Sequence, residues 1–296
     1  MASVPMDQRD GWIWFDGELK PWKDAKIHVL THGLHYASSV FEGERAYGGE
    51  IFKSREHTER LIRSAATLDM PFPYRVDEIE AAKRLVLEKN GLVDAYLRPV
   101  AWRGSEELSV PARNNTVHVA IAAWVWPSYF STEEKLKGIR LEWSKWKRPS
   151  PETIPSSAKA AGLYMICTLS KDAAMANGYA DALMLDYRGY VAEATGANVF
   201  FIKGKEITTP TPDCFLNGIT RQTLIQLAKE NGFTVTERHI MPEELGQFDE
   251  CFLTGTAAEV TPVSEIGEFR FTPADGCRTL IDAYTAAVQP KKAAAE

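Results

Sequence analysis

Lys159 stands in the run Thr153-Ile154-Pro155-Ser156-Ser157-Ala158-Lys159-Ala160-Ala161-Gly162-Leu163-Tyr164, a lone cation among small, mostly apolar neighbours. That stretch holds no acid to pair with it and little bulk to cover its stem. A lysine kept short of solvent loses proton affinity and becomes the free amine that Schiff-base chemistry needs. Most lysines are solvated, and it is the sequence downstream that changes the meaning of this one. Glu193 follows in Gly189-Tyr190-Val191-Ala192-Glu193-Ala194-Thr195-Gly196-Ala197-Asn198, then come Gly218-Ile219-Thr220-Arg221 and Gly255-Thr256-Ala257-Ala258-Glu259. Gly218-Ile219-Thr220 opens an amphipathic run, and helix starts present free amides with a partial positive charge. Gly255 lets the backbone come close to a ligand just after the apolar Cys251-Phe252-Leu253. An amine, an acid and two anion turns are the parts of a pyridoxal phosphate site.

Each part also has an ordinary use. A threonine near a helix start commonly caps it, Gly-Thr-Ala-Ala is commonly a turn, and a glutamate after a strand is commonly a surface charge. Arg60 could pair with Glu56 one turn earlier on a solvated helix face. Aromatic side chains mostly fill cores. Arg98 differs, because it lies among apolar residues of a strand where an unpaired charge is costly, so a partner or ligand is expected.

The elements that must position these residues are readable in outline. Trp12-Ile13-Trp14-Phe15 runs into Asp16-Gly17, a hairpin turn, and a second hairpin turns at Gly48-Gly49. Helical spacing covers Arg55 to Leu68 and Val76 to Lys89, the latter stopped by Asn90-Gly91. Tyr96 to Trp102 and Val117 to Trp126 read as buried strands. The segment 128–138 lacks a sustained pattern and reads as an interdomain loop between a small domain, 1–127, and a large one, 139–296. Beyond it a strand spans Ile139 to Trp146 and a helix runs from about Ala161 to Asn177-Gly178. Strands follow at Ala182 to Asp186, Tyr190 to Glu193 and Asn198 to Ile202, then a helix from Thr220 to Asn231 and a strand at Cys251 to Leu253. Helices and strands mix without a regular βαβ period, which predicts two α+β domains.

The chain has 296 residues, 45% of them hydrophobic, enough for one large core or two ordinary ones. A net charge of −6 and the absence of a basic block argue against a nucleic-acid partner. The four cysteines, Cys167, Cys214, Cys251 and Cys277, have no metal-like spacing and read as reduced thiols, so no metal is expected. Neither a leader-like start nor a run long enough to span a bilayer is visible. These features predict a cytoplasmic protein without a membrane partner.

The ordered set of segments resembles the class IV aminotransferases, the fold-type IV pyridoxal phosphate enzymes, and is most similar to their branched-chain amino acid members. Val40-Phe41-Glu42-Gly43-Glu44-Arg45, Glu56-His57-Thr58-Glu59-Arg60-Leu61 and Tyr96-Leu97-Arg98-Pro99 extend the likeness from about Trp12 to the C-terminal helix. It implies a small α/β N-terminal domain, a larger pseudo-barrel domain and pyridoxal 5'-phosphate carried on Lys159. By the same resemblance Arg60, Gly218, Ile219, Thr220 and Thr256 hold the phosphate and Glu193 the ring nitrogen. Tyr164, one helical turn after the lysine, bonds the phenolic oxygen, and Leu216 packs on the ring. Phe41, Tyr36, Trp126, Tyr129 and Tyr164 would line an aliphatic pocket, with Gly43 and Arg45 beside it. Arg98 would meet the distal carboxylate of glutamate, and Tyr96 with the amides of Ala257 and Ala258 the α-carboxylate. Tyr36 and Val110 would come from a neighbouring subunit of a homodimer or higher homo-oligomer. The implied reaction is transamination between L-leucine, L-isoleucine or L-valine and 2-oxoglutarate. The alternatives within the family are a D-amino acid or (R)-amine aminotransferase and an aminodeoxychorismate lyase. Two departures stand out: Ala197 replaces a commonly acidic residue, and Gly104-Ser105-Glu106-Glu107-Leu108-Ser109-Val110 is bulkier and more polar than the family's loop.

Overall fold

The computed structural model describes residues 4–126 and 132–290; the pocket candidate Tyr129 lies outside them. Their contacts divide into two compact units, 4–126 with Ala158–Gly162 and Pro290, and 132–157 with Leu163–Gln289.

The first unit is an antiparallel sheet with helices packed on it. Its strands are β1 (Trp12–Phe15), β2 (Glu18–Pro21), β3 (Ser39–Phe41), β4 (Glu44–Tyr47), β5 (Glu50–Ile51), β6 (Ala95–Arg103) and β7 (Val117–Val125). They run in the order β2-β1-β7-β6-β4-β5, and β3 also pairs with β6. The β1–β2 turn is made by Asp16 and Gly17, both at positive φ, the backbone that a tight primed turn requires. The helices are α1 (His32–Tyr36), α2 (Ser54–Thr67) and α3 (Val76–Lys89). Leu61 and Ala65 of α2, four residues apart, and Ile79 and Val86 of α3, seven apart, are buried, each pair on one helix face. In β6 the pleat sends Tyr96, Arg98, Val100 and Trp102 to one side and Leu97, Pro99, Ala101 and Arg103 to the other. That alternation sets which of its residues can serve a site.

The second unit contains a closed sheet. Its strands are β8 (Ile139–Trp143), β9 (Asp181–Leu185), β10 (Val191–Ala194), β11 (Asn198–Lys203), β12 (Glu206–Thr209), β13 (Thr234–Glu237), β14 (Glu250–Gly255), β15 (Glu259–Ile266) and β16 (Phe269–Arg270). The path β10-β9-β8-β15-β14-β11 returns on itself because β10 also pairs with β11, a barrel of six strands. Closure removes the edges that an open sheet would expose. Leu141, Leu183, Val199, Phe201, Leu253, Val263 and Ile266 form its buried core. Helices α4 (Thr132–Lys135), α5 (Met165–Ala176), α6 (Ile219–Glu230) and α7 (Asp275–Val288) belong to the same unit. No helix among the described residues is long and apolar enough to cross a membrane.

Three expectations need correction. Residues 158–162 group with the first unit instead of the large domain, because the Phe41 N–H donates to Lys159 O and Val40 bridges Ala160. The 128–138 loop contains a short helix, α4. The helix read from about Ala161 begins as a 3-10 turn, Ala161–Tyr164, so Tyr164 ends that tighter turn before α5.

Candidate active site

In the first unit three consecutive residues each hold one candidate side chain. Phe41 donates its N–H to Lys159 O at 3.1 Å, and the Lys159 Nζ lies 4.9 Å from the centre of the Phe41 ring. Glu42 takes the Arg60 guanidinium edge-on, Nε to Oε1 at 2.6 Å and Nη2 to Oε2 at 2.7 Å. Gly43 touches Tyr96, where a Cβ would overlap the hydroxyl. The strand register explains the grouping, since β3 and β4 pair in succession along β6, β3 with Val100–Trp102 and β4 with Ala95–Leu97. The reactive-amine candidate, the phosphate-arginine candidate and a substrate candidate thus share one tripeptide.

The lysine is further fixed by α2, where its N–H donates to Ser64 Oγ at 3.0 Å. Ser64 and Arg60 are four residues apart and so face the same way. Arg60 is buried and pairs with Glu42; Glu56, its alternative partner, is engaged by Lys53 instead. Behind the pair, His57 Nδ1 stands 2.7 Å from Glu42 Oε2. Burial alone would raise the Glu42 pKa, but the charges and hydrogen bonds of Arg60 and His57 overcome it and hold the carboxyl far below its usual range.

Two substrate candidates of β6 touch each other. Arg98 Nη2 donates to the Tyr96 hydroxyl at 3.0 Å, and the Arg98 guanidinium lies 4.7 Å from the Phe41 ring centre. The Arg98 Nε is buried, with no hydrogen-bond partner among the described residues, a donor suited to a carboxylate. Tyr96 packs against Trp124 at 5.0 Å and Trp126 at 5.3 Å between ring centres. Arg45 donates to Trp126 O at 3.1 Å and lies over the Tyr47 ring, so its seat is a positioning one. Tyr36 stacks on His32, and both it and Val110, 78% exposed, stay on the surface of the first unit.

The second unit carries the acid and the turns. Glu193 in β10 is 8% exposed; its carboxylate accepts from Asn198 Nδ2 at 3.1 Å and lies 3.4 Å from Arg148 Nε. The same Asn198 Nδ2 donates to Leu216 O at 3.0 Å, so one amide ties the acid to the turn before α6. Gly218 caps α6, no side chain caps it there, and a Cβ on Gly218 would overlap Asn198 Oδ1. The first-turn amides at Ile219 and Thr220 lack intrahelical acceptors, and Thr220 is buried. Arg221 belongs to the scaffold: it donates to Pro210 O, Asn217 Oδ1 and Glu237. Thr256, Ala257 and Ala258 form the turn between β14 and β15, where Glu259 has positive φ and Thr254 Oγ1 closes on Glu259 O at 2.8 Å. Ala197 offers only its backbone, its carbonyl accepting from Ala194.

Each unit by itself carries groups that suit a phosphorylated pyridine aldehyde. The first has an amine beside an aromatic face and an arginine whose orientation is fixed; the second has a helix start free of side-chain capping and a buried carboxylate flanked by a guanidinium. Elsewhere in the second unit, Asp186, Asp213 and Cys214 come within 4.8 Å of one another. Arg188 already binds both carboxylates there, at 2.7 and 2.8 Å.

Asn198, Arg148, Glu42, His57 and Ser64 were not singled out from the sequence. Asn198 had a signal, a polar residue opening an apolar strand. Arg148 sits in a basic patch, Lys145 to Arg148, too short to carry weight in the sequence; in the fold it is 3% exposed and also donates to Leu163 O and Cys167 Sγ.

Residues 39–266 match the family model described as amino-transferase class IV. A branched-chain-amino-acid aminotransferase of Pseudomonas aeruginosa is 46% identical over 267 residues, 89% of this chain and 87% of its own. One from Escherichia coli is 42% identical over 273 residues, 88% of each chain. Among solved structures, a T.th. branched-chain amino acid aminotransferase with pyridoxamine 5'-phosphate superposes with a TM-score of 0.92 at 40% identity, covering 95% of both chains.

Proposed function

Because the chain belongs to the class IV amino-transferase family, we propose that it moves nitrogen between branched-chain L-amino acids and 2-oxoglutarate with pyridoxal 5'-phosphate. The observation that carries the reading is the Phe41-Glu42-Gly43 hub, which gathers Lys159, Arg60 and Tyr96 in a chain so similar to named branched-chain enzymes.

When bound, the cofactor supplies an aldehyde for amine exchange and a ring that accepts the electrons released at the substrate Cα. Lys159 Nζ would anchor it and would serve as the general base that takes the proton from the substrate Cα. Glu193, 3.4 Å from Arg148 Nε, would hold a proton on the ring nitrogen. Arg60, the amides at Ile219 and Thr220 and the Thr256 turn would hold the phosphate, and Tyr164 and Leu216 would serve the ring. Tyr96 and the amides of Ala257 and Ala258 orient the α-carboxylate. Arg98 takes the second carboxylate of the dicarboxylic partner, and Phe41 and Trp126 give aliphatic side chains an apolar wall.

A homo-oligomer belongs to the same reading. Val29, Leu34, Tyr36 and Val110 are exposed apolar side chains of the first unit, a surface suited to a second copy of the chain. Cytoplasmic residence is supported by four free, buried cysteines. The test is turnover of L-leucine, L-isoleucine, L-valine, D-amino acids and (R)-1-phenylethylamine with 2-oxoglutarate. Preference for the three branched-chain L-substrates supports the reading, and preference for the D- or (R)-substrates overturns it.

A further inference from the structure

We propose that Glu42, backed by His57, is the positioning residue of Arg60 and sets how strongly the site prefers a phosphorylated cofactor. The proposal rests on the reading that Arg60 holds the cofactor phosphate.

The Glu42 carboxylate is fully buried and receives four donors or potential donors: Arg60 Nε and Nη2, the Gly43 N–H at 3.3 Å and the His57 ring at 2.7 Å. Both oxygens are therefore occupied, and the two-point pairing fixes the plane of the guanidinium as well as its place. The acids on α2 are committed elsewhere, Glu56 to Lys53 and Glu59 to Arg55. Glu42 has its own anchor in β-structure, its N–H donating to Pro99 O at 2.8 Å. The flexible arginine is thereby tied to the sheet as well as to its helix.

Stability alone is a poor reason for such a pair. A buried ion pair is often replaceable by well-packed apolar residues at no loss of stability. A fixed arginine is useful where an anion must meet donors already in place, since less freedom is then lost on binding. A second buried ion cluster makes the contrast: Lys83 binds Glu44 at 2.7 Å, Glu80 at 3.1 Å and Ser54, none of them a candidate site residue. It serves as the structural control.

The experiment measures dissociation constants of pyridoxal 5'-phosphate and of pyridoxal, which lacks the phosphate, on the full-length chain stripped of cofactor. In Glu42→Gln the phosphorylated cofactor is expected to bind ten- to a hundredfold more weakly, with pyridoxal changed less than twofold. Arg60→Ala should lose at least as much of the same preference, and adding Glu42→Gln to it should cost little more. Lys83→Met should leave the preference intact. Where Glu42→Gln does not fold, Glu42→Asp carries the test, because it keeps the charge but draws it back by one methylene. It should lose three- to tenfold of the preference. Equal weakening of both ligands, or an unchanged preference, overturns the role of Glu42. An Arg60→Ala variant with full preference overturns instead the phosphate role of Arg60.

Discussion

The Lys159 N–H donates to Ser64 Oγ at 3.0 Å, so α2 holds the main chain of the candidate lysine one turn beyond Arg60. Removing that acceptor in Ser64→Ala strands a part-buried donor, a loss of about 1–3 kcal/mol. Denaturant unfolding should report that loss, and turnover should fall with it as the amine is less well held. Unchanged stability and turnover would remove Ser64 from the site.

Glu193→Gln should keep the cofactor bound but slow proton removal, because a neutral amide holds a proton on the ring nitrogen less well. A loss on the order of 10²–10⁴-fold, about 3–5 kcal/mol, is expected for turnover of L-leucine. An unchanged rate counts against the assignment.

Much of the candidate site could be proposed from the sequence because its chemistry lies in short contiguous runs. Lys159, Glu193 and Gly218-Ile219-Thr220 each stand in such a run. What was not legible is what long-range pairing supplies. Glu42 and Arg60 are 18 residues apart, and only the packing of α2 beside β3 makes them a pair. Arg148 stands in a basic patch too short to carry weight in the sequence, and only the fold brings Glu193 of β10 against it. The barrel was implied by the family likeness and not by periodicity, because the β10–β11 pairing that closes it leaves no local pattern. Strands β12 and β13 went unread for a similar reason: they are short, and their parallel pairing spans α6.

Arg98→Met should separate the two substrates that share one pocket. L-leucine has no distal carboxylate, so its half-reaction should survive if the apolar stem keeps the wall packed. The 2-oxoglutarate half-reaction loses a charge-assisted partner, about 1.5–3 kcal/mol or roughly ten- to a hundredfold. Stopped-flow measurement of each half-reaction decides it. Equal losses would make Arg98 a general shaper of the site, while no loss for 2-oxoglutarate would move the carboxylate role to another cation.

Acid should act on the Glu42–Arg60 pair with a definite sign. The folded Glu42 carboxyl is held far below its usual range, chiefly by the charge of Arg60 acting against burial, so the folded state binds fewer protons there than the unfolded one. The stabilisation is complete above the unfolded value of about 4.3 and is lost progressively as pH falls below it toward the folded value. Glu42→Gln should therefore lose stability near neutral pH, about 3–5 kcal/mol for a broken buried pair, and the gap to the parent should narrow as the solution is acidified. Unfolding free energies between pH 7 and 3 check this; a gap that stays constant contradicts it.

The most direct measurement is the site of covalent attachment. The cofactor-loaded protein is reduced with borohydride, digested and mapped by mass spectrometry, with Lys159→Ala as the companion. Lys159 among its small neighbours, with its amine against the Phe41 ring, is expected to carry the whole phosphopyridoxyl mass. Lys159→Ala should fold, carry no label and lose nearly all transamination. A label on a different lysine, or near-normal turnover in Lys159→Ala, would contradict Lys159 as the anchor of the cofactor.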